Sequence, residues 1–487
     1  MNNRFLKCWW VTWLGLAGAA LLGAAPVATW AALPVRGGEN PPESSPRPPG
    51  PAMASGEFRL VTVGDLLYSH PFASNADAKL QRVFSLLRSG DVVIGNKEGV
   101  FFDLRDFKGS GRDGGLLWGE AALASDMKAM GIDMVSVANN HSMDWGWQGL
   151  SDCLRLLDAA GIVYGGAGRN LQEAREAGFL RTATGVIALV ATASTYSPNA
   201  GADDAFGDAP SRPGISILRL QEVNSVTSSQ MSLIRRLAKE RASAYEPAPA
   251  PDAQEVSFGG ELYRVSRTSG VHYEMNRYDL AGLMQAVRAA KRKANLVVFT
   301  IHTHETATGN DDDNPQPPDF LIRLAHDVID AGADVFLGTG IHDLRGIEIY
   351  HGRPVFYGMS SFFINGEVKE LRQSMLQAYE GTGHQHVSRV KQKRSGPVGC
   401  FQVRSQGDPR SWFDSMVAVT DFDRGRASEV RIYPLDLGDT CDQSRRGIPH
   451  LADPADARRI LVTLQRYSAP FGTRIDIRGS VGLIRIR

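Results

Sequence analysis

The sequence predicts a layered α/β fold with a metal site at the carboxyl ends of its strands. Three observations carry the prediction. From Phe58 to about Ile364, short apolar runs alternate with amphipathic helical stretches, the pattern of strands and helices in layers. Runs such as 185–193 and 295–301 are predominantly apolar on both faces, with no polar alternation, as in strands buried on both sides. Five runs then break into metal-binding residue types: Asp65; Asn96 and Glu98; Asn140, His141 and Asp144; His302, His304 and Glu305; His342. In open α/β sheets, the carboxyl ends of strands are where ligands bind.

The elements follow in order. Residues 33–56 are rich in Pro, Gly and Ser and read as a flexible tether. The fold begins with a strand over 58–63, ending at Gly64 and Asp65, and continues with a helix carrying Leu80, Val83, Phe84 and Leu87 on one face. A strand over 91–94, a helix over 119–130, a strand from Ile132 and a helix over 150–160 come next. Beyond the strand at 185–193, residues 196–273 lose regularity and read as an elaboration around the site, with one helix near 231–245. Helix 279–294, strand 295–301, helix 319–331 and strand 334–337 restore the alternation. Residues 345–350 and 354–357 read as a hairpin, 415–421 and 428–435 as a second, and 453–467 as a final helix. The expected boundaries are a core domain over 57–365, a polar insertion over 366–400, and a β-rich C-terminal extension over 401–487 packing on the core.

Composition narrows the function. With 53 basic and 53 acidic residues, the chain has neither a nucleic-acid footprint nor a polybasic membrane patch. At the N-terminus, Arg4 and Lys7 precede a long uncharged run rich in Leu, Ala, Gly and Trp, ending among small residues. That order is a secretory signal over 1–32, and the run is also long enough to stay as a membrane anchor. Either way the body is expected outside the cytoplasm, periplasmic or secreted. Cys8 leaves with a cleaved signal, and Cys153, Cys400 and Cys441 permit at most one bridge, with Cys400–Cys441 the pair that shares the C-terminal part.

Each polar residue after a strand is, alone, more often a turn former or cap than a ligand. His70, His326, His351, His384, His386 and His450 take that bland reading, as does the acidic run Asp311–Asp313. Five such strand ends gathered at one sheet edge are different. Carboxylates, carboxamides and imidazoles together suit manganese, zinc or iron, singly or as a pair bridged by Glu98 or Asp65.

The segments GDLLYS, GNKEG, VANNHSMDWG, IHTHE and GTGIHDLRGIEIYHGRPVFYGMSSFF, in this order, resemble the CapA (poly-γ-glutamate capsule biosynthesis) family of the calcineurin-like metallophosphoesterases. The resemblance implies an α/β/β/α sandwich. It implies Asp65, Glu98, Asn140, His302 and His342 as metal ligands, with His304 and Glu305 as a variant of the fourth motif. It also implies that His141, together with Asp144, acts on the reacting group. The function implied is an extracytoplasmic metal-dependent hydrolase using one or two divalent ions. Its partners would be an anionic or peptide-like envelope polymer and the capsule-synthesis machinery. The alternative is a non-catalytic component that binds or exports the polymer. Three departures from the family pattern stand out: Thr339 in place of a ligand, Lys97 inside N-x-E, and Ser360–Ser361 in place of Gly-Asn. From Thr339 we expect one firmly held ion near Asp65 and His342, and a second position that is weak or depends on His304.

Overall fold

The computed structural model describes residues 56–109, 116–244, 246–309, 315–365, 367–369, 411–438 and 445–486. Two sheets, of ten and six strands, pack face to face between helices. In the larger sheet, Glu57–Tyr68, Val92–Asn96, Met134–Ser136 and Val163–Gly165 run parallel. The smaller has Val186–Ala193, Leu296–Thr303, Val335–Gly340 and Arg353–Phe356 parallel at its centre.

Successive strand residues point to opposite faces, and here both faces are covered. Leu296 and Val298 meet the other sheet, alongside Leu60, Ile94 and Met134. Val297 and Phe299 pack instead under Leu283 and Val287 of helix Arg277–Lys293 and Leu324 of helix Asp319–Ala331. Val61, Val93 and Val135 do the same beneath helices Ala78–Leu87, Leu123–Met130 and Gly146–Ala160. The layers are therefore α/β/β/α, as expected. Uninterrupted apolar strands are the direct consequence of burial on two sides.

Two expectations need correction. The first strand does not stop at Gly64–Asp65 but runs on to Tyr68. It pairs with Val92–Asn96 as far as Asp65, shifts register there, and continues beside Ser361–Asn365. Gly64 is a close-approach residue rather than a breaker, since a Cβ on it would lie 1.8 Å from Ser360 O. Nor does the C-terminal part lie on a finished core. Its strand Asp414–Asp423 pairs directly with the first strand, in register from Glu57↔Asp423 to Thr62↔Ala418, and Arg426–Asp436 extends the same sheet. Helix Pro454–Ser468, capped by Asp453, adds Ile460, Leu461 and Leu464 to the core between the sheets.

Residues 196–273 contain order that periodicity did not reveal. Leu220–Val226, Glu255–Phe258, Glu261–Val265 and Gly270–Met275 form a separate four-stranded sheet. Its helix, Ser228–Glu240, starts earlier than expected because Thr227 and Gln230 make a capping box, and it ends earlier as well, at Glu240. The expected signal and all but the edges of the tether and the insertion, together with Cys400 and Cys441, lie outside the described residues; at the start of the insertion, Glu367–Lys369 is a strand paired with Leu116–Gly119. Among the described residues, no helix is long and apolar enough to cross a membrane.

Asp279 ties this small sheet to the core. Its carboxylate is buried and accepts from Arg175 Nη2 at 2.7 Å and from Arg219 Nε and Nη2 at 2.7 and 2.8 Å. Burial alone would raise its pKa, but the hydrogen bonds and charge of Arg219, with the charge of Arg175, hold it below the usual carboxylate range. A depressed folded-state pKa gives stability that is present above the unfolded value of ~3.9 and is lost as pH falls through the lower folded one. Asp279→Asn is expected to cost about 3 kcal/mol at pH 7. In urea melts the gap from wild type should narrow as pH drops below ~4; a gap independent of pH would contradict the ion-pair account.

Candidate metal centre

The carboxyl ends of both sheets deliver the candidate ligands to one place. Asp65 sits at the register shift of the first strand, and Asn96 closes the second with Glu98 two residues on. His302 lies inside its strand, His304 just beyond it, and His342 follows Val335–Gly340.

Asn96 Nδ2 donates to Asp65 Oδ1 at 2.8 Å and stands 3.2 Å from His302 Nδ1. Asp65 Oδ2 accepts from Gly340 N at 3.0 Å and lies 3.3 Å from His342 Nδ1. His302 Nε2 and His304 Nε2 are 3.2 Å apart. Glu98 Oε1 is 3.9 Å from both His342 Nε2 and His141 Nε2. His141 Nδ1 is in turn 2.8 Å from Asp144 Oδ2, which also accepts from Leu117 N at 2.9 Å. Asn139 staples the loops, donating to Lys97 O at 2.9 Å and accepting from His141 N at 3.2 Å.

The backbone is strained where it turns into the site. His342 and Ser360 hold φ of 58° and 57°, the left-handed region that costs a non-glycine residue about 1–3 kcal/mol. Mutual hydrogen bonding keeps them there: Ser360 Oγ donates to His342 O at 2.9 Å, while Asp65 N donates to Ser360 O at 3.2 Å.

The electrostatics are those of a site shaped for a cation. Both Glu98 oxygens are buried with no hydrogen-bond partner among the described residues, and so is Asn140 Oδ1. Without a cation, the Glu98 carboxyl is pushed up to about 7, chiefly by burial, with His342 opposing and Asp65 reinforcing. Burial drives His302 down to about 3 and, with repulsion from His302 and His342, holds His304 well below its usual range. Asp65 goes the other way. Burial would raise it, but hydrogen bonding and charge from His342, charge from His302 and the Asn96 amide keep it low. Neutral imidazoles beside carboxylates are what a divalent transition ion binds. Two overlapping groups, Asp65–Glu98–His302 and Glu98–His304–His342, bring one ligand atom each within 4.8 Å of one another, and they share Glu98. The donor set fits a metal ion.

Asp65, Glu98, His302, His304 and His342 thus converge, His141 and Asp144 adjoin them, and Asn140 turns an unspent amide oxygen into the interior. Glu305 does not join. Its Oε2 accepts from Ser194, Thr195 and Thr303 hydroxyls at 2.7, 3.0 and 2.6 Å, a cage that removes it from the ligand set. Lys97 is also turned to structure, its buried Nζ donating to Leu66 O at 3.2 Å and Glu98 O at 2.5 Å. The Ser360–Ser361 departure keeps a supporting role, with Ser361 Oγ 3.0 Å from His342 Nδ1. Sequence reasoning had Asn139 in view within the ANNH segment and Ser361 as a departure from the family pattern, but gave neither a role at the site; it overlooked Trp412, which carries no local signal and whose ring centroid lies 5.3 Å from that of His342.

Thr339 is the register partner of His302 and lies buried, its hydroxyl 3.4 Å from Ile301 O. Partners in register share a face of the sheet, so an imidazole at 339 would stand beside His302. Metal analysis after dialysis is expected to find closer to one ion than two per chain. Thr339→His should raise that ratio, despite overpacking of about 1–3 kcal/mol, and His304→Ala should lower any second-site occupancy. Two tightly retained ions that are indifferent to His304→Ala would count against this assignment.

An α/β/β/α sandwich whose strand ends collect Asp, Asn, Glu and His in this way is metallophosphoesterase-like. The chain belongs to a particular branch: residues 59–366 match the family described as bacterial capsule synthesis protein PGA_cap. It is 35% identical over 437 residues to the uncharacterized protein y4sH of Sinorhizobium fredii, covering 88% of this chain and 93% of that one. It is 24% identical over 328 residues to the PGA biosynthesis protein CapA of Bacillus subtilis, covering 66% and 67%. It is 25% identical over 357 residues to a probable polyglutamine synthesis accessory protein of Mycobacterium tuberculosis, covering 72% and 66%.

Proposed function

We propose that this capsule-synthesis-family protein is an extracytoplasmic metal-dependent hydrolase acting on an envelope or capsule polymer. The observation behind the reading is Glu98, a buried carboxylate with both oxygens unspent among the described residues, shared between two groups of ligands. Asp65, Glu98, Asn140, His302, His304 and His342 would hold manganese, zinc or iron. Such an ion supplies Lewis acidity and lowers the pKa of water from ~15.7 towards ~7. Asp144 fixes the His141 ring through Nδ1, which leaves Nε2 on the Glu98 side to stabilise charge on the reacting group or to give a proton to the leaving group. The names of the Bacillus and Mycobacterium relatives suggest a glutamyl polymer and a place beside capsule-synthesis machinery.

The test is turnover of purified protein with added manganese, zinc or iron, on a panel of phosphoesters and γ-linked glutamate oligomers. Turnover that a chelator abolishes is expected. Polymer binding without turnover under any metal would favour the second reading, a binding or export component, for which the lost imidazole at Thr339 is the specific observation. On location, N-terminal sequencing from a secreting host should find a mature start between Ala25 and Leu33. A retained Met1 in the membrane fraction would make the apolar run an anchor.

A further inference from the structure

Trp412 lies against the candidate metal centre and takes part in nothing described above. It belongs to the turn Ser411–Phe413, which leads into strand Asp414–Asp423 and lies beyond the family match that ends at residue 366. Its ring is tilted by 53° to that of His342. The seat is built: Phe413 is buried, Ser415 Oγ donates to Ser361 O at 2.5 Å, and Ser361 Oγ stands 3.0 Å from His342 Nδ1. Trp412 Nε1 is buried and has no hydrogen-bond partner among the described residues. Buried indole N–H groups ordinarily find an acceptor. Two other tryptophans near the site have one: Trp118 Nε1 donates to Phe102 O at 3.1 Å and Trp145 Nε1 to Leu117 O at 3.0 Å. An unspent donor beside a metal-binding imidazole calls for an acceptor that arrives with the ligand. Because an indole only donates, it selects an oxygen with free lone pairs, and a negatively charged one best.

We infer that Trp412 is a specificity-determining residue whose N–H donates to an oxyanion, phosphate or carboxylate, held at the metal centre. The inference rests on the hydrolase reading for its ligand class, but binding tests it without any turnover. The full chain loaded with manganese is titrated calorimetrically with inorganic phosphate and with γ-glutamylglutamate, as wild type, Trp412→Phe and Trp412→Leu. Wild type should bind at least one, and which one separates a phosphoryl from a carboxylate ligand. Trp412→Phe keeps the aromatic ring and loses the N–H. It should bind that anion about 10-fold or more weakly, with manganese content unchanged. If the Phe variant does not fold, the Leu variant, which also lacks a donor, is read in the same way. Cobalt quenching of tryptophan fluorescence should fall disproportionately once Trp412 is replaced. The inference is overturned if wild type binds neither anion, if the folded variants bind as tightly as wild type, or if quenching is unchanged. Turnover with unaltered anion binding in Trp412→Phe would sink it and leave the hydrolase reading standing. Weakened binding in a protein without turnover would do the reverse.

Discussion

His141→Ala is expected to lower turnover by about 10²–10⁴-fold while the fold and the metal content stay nearly intact. The imidazole sits at the rim of the ligand set, with Nδ1 2.8 Å from Asp144 Oδ2 and Nε2 3.9 Å from Glu98 Oε1. It belongs to neither of the two groups that bring three ligand atoms together. Asp144→Asn should act through the same ring. The carboxylate fixes which nitrogen carries the proton, and an amide can present the wrong partner. Because Leu117 N also donates to that carboxylate, Asn at 144 should disturb the 116–119 strand as well and lower the melting temperature modestly. Metal analysis and a pH–rate profile separate the roles. Full activity in His141→Ala would remove it from the mechanism, and loss of metal in parallel with activity would make it a ligand.

How much of this was legible in the chain depends on the range of the forces involved. The alternation of buried strands and amphipathic helices is written locally, because Val297 and Phe299 must satisfy helices while Leu296 and Val298 satisfy a sheet. The strand ends were legible for the same reason: His302 and His304 follow an apolar run with no turn chemistry to explain them. What escaped depends on distant partners. Gly64 reads as a breaker until Ser360 O is placed against it, and only then does the first strand run on to Tyr68. The Asp414–Asp423 strand looks like half of an isolated hairpin, yet it completes the main sheet. Glu305 was weighed as a ligand because it follows His304, and its direction is set by three hydroxyls, two of them on another strand's end. Trp412 had no local pattern at all. Its role emerges from the pairing that brings the C-terminal segment to His342.

Glu98→Gln should strip the site of metal more completely than any single histidine replacement. The two ligand groups share this carboxylate, so its loss removes an anionic oxygen from both, whereas His304→Ala touches one. A neutral amide is a weaker ligand for manganese, zinc or iron than a carboxylate. The metal-free protein should respond in the opposite sense. Glu98 is buried with neither oxygen hydrogen-bonded among the described residues, and burial already pushes its carboxyl up to about 7. Replacing the charge by an isosteric amide relieves part of that desolvation cost, about 1–3 kcal/mol. Chelator-treated Glu98→Gln should therefore melt a few degrees above chelator-treated wild type. Added metal at ~100 times its Kd would stabilise wild type by about 2.7 kcal/mol and leave the variant unmoved. The two melting curves would then exchange order when metal is added. If Glu98→Gln kept wild-type metal content, or gained as much stability from added metal, the shared-carboxylate arrangement would be wrong.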